Sequence, residues 1–326
     1  MKKRCVGGAF RLFAILSALI QLFVCLPAFA EEPVRAAALK GPTGMAFAHM
    51  MAENDGDTAF ILAGAPDELT GQLIAGKIDI AAVPTNLACV LYNKTKGGVR
   101  ALSVITGGML YVLERGDSVH TVKDLQGKRL LSAGQGAAPQ YIFSFILEEN
   151  GVTADVTYSA EQSEVVSLAA AGREDLVVLP EPHVTTLLAK DPSFRIALSL
   201  SDLFEEAAGK AGYADAGLYM STVIVRSEFL EAHPEQVELF MEKLEASIGF
   251  ALTQPEDAAR EIAQAGIIPS EAVALKALPS CALTFLTGDE MRARLSPMLQ
   301  VLFDGDPAAV GGKLPEADFF VIPAGK

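Results

Sequence analysis

The chain has 326 residues, 51% of them hydrophobic, with 26 Lys and Arg against 40 Asp and Glu and a formal net charge of −14. So acidic a surface argues against nucleic acid or anionic lipid as partner. The four histidines, His49, His120, His183 and His233, are scattered and no Cys-x-x-Cys occurs, so no metal and no cofactor are expected.

The first thirty residues read as a secretory signal peptide. Lys2, Lys3 and Arg4 open it, Leu12 to Leu26 supply an apolar core, and Ala28-Phe29-Ala30 is a small-x-small exit. The apolar run is shorter than the ~20 residues a spanning helix needs. Cys25 follows Val24 rather than a small residue, so a soluble product is expected rather than a lipid anchor. Cleavage removes Lys2, Lys3, Arg4 and Arg11 and no acid, which takes the net charge from −14 to −18. The remaining span, 31–326, is long for one core and comfortable for two lobes. Its two cysteines, Cys89 and Cys281, lie in separate apolar patterns and read as two buried thiols.

Along the chain, short apolar runs alternate with amphipathic ones. Strands are predicted at Val34–Leu39, Thr58–Ala63, Ile78–Val83 and Val99–Ile105, with helices at Met45–Asn54, Asp67–Ala75 and Thr85–Lys94 between them. The alternation then repeats. Strands are predicted at Leu110–Glu114, Arg129–Ser132, Thr153–Tyr158, Leu176–Leu179 and Phe194–Ser199. The helices there are a short one at Thr121–Leu125, then Ala137–Asn150, Glu161–Ala170 and Pro182–Lys190. Such alternation predicts an α/β fold with mostly parallel sheets covered on both faces. Leu218–Val225 reads as a strand with no helix before it, returning to the first lobe. Helices follow at Ser227–His233 (capped by Ser227), Pro234–Leu252, Pro255–Ala265, Ser270–Ala277 and Thr287–Phe303, and a short strand at Phe319–Ile322.

The chain is thus expected to cross between lobes near Thr106–Tyr111 and Tyr219–Val225. That gives a lobe of 31–108 plus 222–326, and a second of 109–221. Ligands of open α/β sheets bind beyond the carboxyl ends of strands, so the loops there are the candidate site. Gly41, Thr43 and Gly44 follow the first strand, where glycines admit close backbone approach. Thr85 and Asn86 follow the third, and Thr106 stands at the first crossing. Gln135 and Ala137 follow a strand of the second lobe, Glu181 follows another, and Tyr219 stands on the return crossing. Each has an alternative structural task, such as capping a helix or charging its first turn. No Gly-x-Ser-x-Gly elbow and no phosphate loop occur, and the Gly134-Gln135-Gly136 turn lacks the third glycine of a dinucleotide fingerprint. No catalytic residues are expected.

Three phrases carry a resemblance: Leu39-Lys40-Gly41-Pro42-Thr43-Gly44, Ala75-Gly76-Lys77-Ile78-Asp79-Ile80-Ala81-Ala82-Val83-Pro84-Thr85-Asn86, and Leu125-Gln126-Gly127-Lys128-Arg129-Leu130. They resemble the periplasmic solute-binding proteins of ABC importers, nearest the nitrate, sulfonate and thiamine-precursor (NMT1/THI5-like) group, over about 34–250. The resemblance implies a type II periplasmic binding protein fold, with two lobes, a hinge and a central cleft. It implies capture of a small polar or heterocyclic solute outside the cytoplasmic membrane. It also implies delivery of the solute to the permease and ATPase subunits of an importer, with surface carboxylates as docking contacts; a monomer is the default expectation. A sensor partner of a membrane receptor and a pyrimidine-synthase-like enzyme are the alternatives on the same fold. The chain departs from thiamine-precursor binders in having no Trp. It departs from the synthases in lacking their cysteine-rich motif and metal-binding histidine. For a sulfonate or nitrate, only Lys40 and His183 in these loops could supply a cation.

Overall fold

The structure, a computed structural model, describes residues 32–322. The expected signal peptide, its cleavage site and Cys25 lie outside the described residues. Among the described residues no helix is long and apolar enough to cross a membrane.

The first run of elements is β1 (Val34–Leu39), α1 (Pro42–Met45), α2 (Ala48–Glu53), β2 (Thr58–Ala63), α3 (Pro66–Ile74), β3 (Ile80–Pro84), α4 (Thr85–Thr95) and β4 (Val99–Gly107). The second is β5 (Leu110–Arg115), β6 (Arg129–Ala133), α5 (Ala138–Glu149), β7 (Asp155–Ser159), α6 (Gln162–Ala170), β8 (Leu176–Pro180), α7 (His183–Lys190), β9 (Phe194–Ser199) and α8 (Leu200–Lys210). The third is β10 (Tyr219–Arg226), α9 (Ser227–Ala232), α10 (Pro234–Thr253), α11 (Pro255–Gln264), α12 (Glu271–Ala277), β11 (Leu283–Leu286) and α13 (Gly288–Gly305).

These strands form two sheets. One has the order β11-β4-β10-β3-β1-β2, the other β7-β6-β8-β5-β9. The chain leaves the first sheet at Gly107, enters the second at Leu110, and is back in the first from Tyr219. β1 is apolar on both faces because it lies inside its sheet, with Ala36, Ala37 and Ala38 fully buried between β2 and β3. α10 buries Val237, Phe240, Leu244, Ile248 and Ala251, a stripe at helical spacing that covers one face of that sheet.

Several expectations are corrected. The sheets are mixed, not mostly parallel. β1 pairs in parallel with β2 and β3, and β6 with β7 and β8. However, β10 runs antiparallel to β3 and β4, β11 to β4, and β5 to β8 and β9. The strands on which the chain changes sheets enter against the direction of their neighbours. A helix does precede β10: α8 buries Leu200, Phe204, Ala207 and Ala208 on one face. The helix expected at Met45–Asn54 is two short ones, broken at Ala46 and Phe47. Ser227 is not a cap but the first helical residue of α9, and its hydroxyl donates to the Gly97 carbonyl at 2.6 Å. The tail forms a short 3₁₀ turn at Ala317–Phe319 and one bridge, Phe320 to Ala101, in place of a strand. Cys89 and Cys281 are buried and free, and burial pushes both thiols' pKa values up.

Candidate functional site

A cavity of 530 Å³ draws its walls from both sheets. Lys40, Gly41 and Pro42 come from the carboxyl end of β1. Pro180, Glu181, Pro182, His183 and Thr186 come from the carboxyl end of β8 and the first turn of α7. Ile267, Ile268, Pro269, Ser270 and Val273 come from the connection between α11 and α12, and Gln162 from the start of α6. Two other cavities, of 640 and 610 Å³, are lined by strands of the first sheet and segments packed on it.

Gly41 takes φ +92°, and a β-carbon there would meet nothing within 4 Å, so the backbone faces open space. Its N–H donates to the Ile267 carbonyl at 3.2 Å, which ties the β1 loop to the α11–α12 connection. Gly44 has a different reason. A β-carbon would stand 2.8 Å from the Leu39 carbonyl oxygen and 3.2 Å from Ile267 Cγ2, so this glycine allows α1 to fold back on β1.

Glu181 is the buried charge of the cavity, only 3% exposed. Its Oε2 accepts from the Thr185 N–H at 3.1 Å and its Oε1 from the Thr185 hydroxyl at 3.0 Å. Burial raises its pKa, and these two bonds offset only part of that. His183, two residues on, has an occluded Nδ1 with no hydrogen-bond partner among the described residues. Burial lowers its pKa, favouring the neutral imidazole. Lys40, which also lines the cavity, is exposed.

Of the residues singled out in the sequence, Gly41 and Glu181 line this cavity. Thr43, Gly44, Thr85, Thr106 and Tyr219 do not line it. The Thr43 hydroxyl pairs with that of Ser221 at 3.0 Å, and Thr85 with Thr222 at 3.0 Å, stitching the starts of α1 and α4 to β10. The Thr106 hydroxyl is buried without a partner among the described residues. The Tyr219 N–H meets Met298 Sδ at 3.2 Å, with Arg294 beside its hydroxyl. Asn86, the second residue of α4, is half-buried. Gln135 is exposed in a turn whose N–H groups are taken up locally, Gln135 by the Ser159 carbonyl and Ala137 by that of Gly134. Neither Gln135 nor Ala137 reaches the cavity.

Sequence reasoning placed Lys40 and His183 in the candidate loops, and both line the cavity, but it did not single out the Ile267–Ser270 wall. A signal was present in Gly266-Ile267-Ile268-Pro269, two large apolar residues in a connection between helices, where polar residues are the norm.

The family described as NMT1/THI5 like matches residues 61–258. The chain belongs to that family. No curated protein sequence matches it. Among solved structures, this NMT1/THI5-like chain is similar to an ABC transporter protein from Parabacteroides distasonis. The two are 23% identical, the match covers 90% of this chain and 100% of that one, and the TM-score is 0.76. It is similar to the alkanesulfonate-binding protein SsuA of Xanthomonas axonopodis pv. citri, bound to MOPS, at 17% identity, coverage of 89% and 96%, and TM-score 0.63. It is also similar to the periplasmic aliphatic sulphonate binding protein SsuA of Escherichia coli, at 14%, 91% and 95%, and 0.68. These likenesses establish the architecture as that of the periplasmic binding proteins.

Proposed function

We propose that this chain captures a small polar solute in the cavity between its two sheets, outside the cytoplasmic membrane, and hands it to an ABC importer. The observation that carries the reading is the cavity wall itself. Residues after β1 and after β8, the carboxyl ends of strands in different sheets, line one 530 Å³ space. That is the position where open α/β sheets hold ligands. Family membership supports it, as do the roles of the sulfonate-binding and ABC-transporter proteins it resembles.

In this reading residues 31–108 with 222–326 form one lobe and 109–221 the other, and they close on the solute about the two crossings. The leader directs export and is cleaved, the protein acts as a monomer, and permease and ATPase subunits are its partners. The work at the site is desolvation and hydrogen bonding rather than bond making.

The test is a thermal-shift screen of residues 31–326 against amino acids, amines, sulfonates, purines, pyrimidines and nitrate. A ligand at a hundredfold its dissociation constant adds about 2.7 kcal/mol, a shift of several degrees. One stabilising class, recovered unchanged after incubation, supports capture. Turnover of the stabilising compound would overturn it in favour of an enzyme.

A further inference from the structure

The described residues include three buried carboxylates. Asp79 is 1% exposed, Glu114 5% and Glu181 3%. Two of them are answered by guanidinium groups. Asp79 takes Arg35 Nη2 at 2.5 Å and Arg226 Nη2 at 3.0 Å, and Glu114 takes Arg195 Nη2 at 2.8 Å. Among the described residues, the Glu181 carboxylate is answered by Thr185 alone. Among the described residues, the Tyr111 hydroxyl, from β5, and the Cys281 thiol, after α12, sense its charge. Both are neutral acids, so neither balances a carboxylate.

A buried carboxylate without a cation is costly to keep ionised, and a protein tolerates one where something else supplies the charge. Each oxygen of Glu181 accepts one bond and keeps further acceptor capacity. The residue lines the cavity, with the unpartnered Nδ1 of His183 in the same wall. Around them, Pro42, Ile267, Ile268, Pro269 and Val273 form an apolar lining that suits methylenes or a ring.

We propose that the cavity seats a protonated nitrogen group of its ligand, an ammonium, amidinium or guanidinium, against the Glu181 carboxylate. The inference rests on the solute-binding reading and names its ligand class. A sulfonate or nitrate placed there would instead bring a like charge to a buried carboxylate. Such a nitrogen could belong to a simple organic cation. It could also belong to a zwitterion whose anionic end turns to the exposed Lys40 of the same cavity.

The experiment is calorimetric titration of residues 31–326 and of its Glu181→Gln variant with three panels. The first holds butylamine, benzamidine and agmatine. The second holds γ-aminobutyrate and other amino acids. The third holds propanesulfonate, butyrate and nitrate. Glu181→Gln keeps the side chain's size and an acceptor for Thr185, and a thermal melt of the variant checks that it folds. Binding from the first or second panel, weakened about 10- to 100-fold in Glu181→Gln, is the expected result. First-panel binding indicates a simple cation, and binding in the second alone a zwitterion. Affinity for that ligand should also fall on acidification in the wild type and stay level in the variant. Binding from the third panel alone overturns the inference while leaving solute capture intact. Cation binding indifferent to Glu181→Gln also overturns it. Silence in all three panels counts against solute capture itself, and the ligand class falls with it.

Discussion

Asp79 and Glu181 are equally buried, yet they stand in opposite electrostatic positions. Asp79 precedes β3, at the amino end of a strand and away from the cavity. It is held by Arg35 from β1 and Arg226 from β10, and also accepts from the Arg35 N–H at 3.1 Å. Burial alone would raise its pKa, but the hydrogen bonds from the two arginines outweigh it and the net shift is downward. Glu181 follows β8, at the carboxyl end of a strand and beside the cavity, and its shift is upward. One end of the molecule has its charges settled by the fold. The other leaves a charge for something outside the fold to settle. Glu114 belongs with Asp79. Ser118, Val119 and Arg195 bond its carboxylate, and its pKa falls in spite of burial.

The comparison breaks most directly at Asp79. Asp79→Ala removes the buried carboxylate that Arg35 and Arg226 share beside the amino ends of β1 and β3, and should cost about 3 kcal/mol in urea denaturation. A cost below about 1 kcal/mol would mean that the clamp is a solvated surface pair. The crossing between the sheets tests a steric rather than a charge constraint. A β-carbon at Gly108 would fall 1.7 Å from Ser201 Oγ and 3.0 Å from Leu218 Cδ2. Gly108→Ala should therefore cost about 2 kcal/mol, and Ser201→Gly in the same chain should recover part of it.

The Thr43–Ser221 pair tests whether hydroxyls near the cavity belong to the fold or to the ligand. Thr43→Val leaves the Ser221 hydroxyl buried and alone, at a cost of about 1–2 kcal/mol. Adding Ser221→Ala should cost less than the sum of the two single changes, because both partners are then gone. If Thr43→Val instead leaves stability unchanged and weakens ligand binding, the hydroxyl belongs to the site.

These outcomes bear on how far the sequence could be read. β1, β2 and β9 fall at their predicted bounds, because each is a short apolar run between turn residues. β11 was hidden because four residues between two helices carry almost no periodicity. The mixed sheet was hidden because the pairing of β10 with β3 and β4 is a contact over more than 100 residues, which no local pattern encodes. At the site, Glu181 was legible as a charged residue directly after an apolar strand. Gln135 sits in an equivalent place by spacing and is exposed away from the cavity. Spacing finds the strand ends, but not which of them share a space. Thr43 and Thr85 were legible as polar residues at helix starts, yet their hydroxyls are taken up by Ser221 and Thr222.

The smallest expected effect separates the two buried carboxylates by sign. For a carboxyl whose folded pKa is lowered, as at Asp79, stability is present above its unfolded value of 3.8 and lost as pH falls through the folded one. For one whose folded pKa is raised, as at Glu181, the order reverses. Its contribution is present below the unfolded value of 4.5 and lost as pH rises through the folded one. In that window the unfolded chain has released the proton that the folded chain still holds, so each step up in pH favours unfolding. The slope is at most about 1.4 kcal/mol per pH unit. Glu181→Gln removes this titration. Without ligand, the variant should match the wild type below pH 4.5 and become the more stable of the two as pH rises, by thermal melts at several pH values. A cation seated on Glu181 should reverse that ranking, because it favours the ionised carboxylate that the empty cavity disfavours. Equal pH profiles for the two chains would mean that Glu181 is as well settled as Asp79, and that nothing outside the fold is needed to balance it.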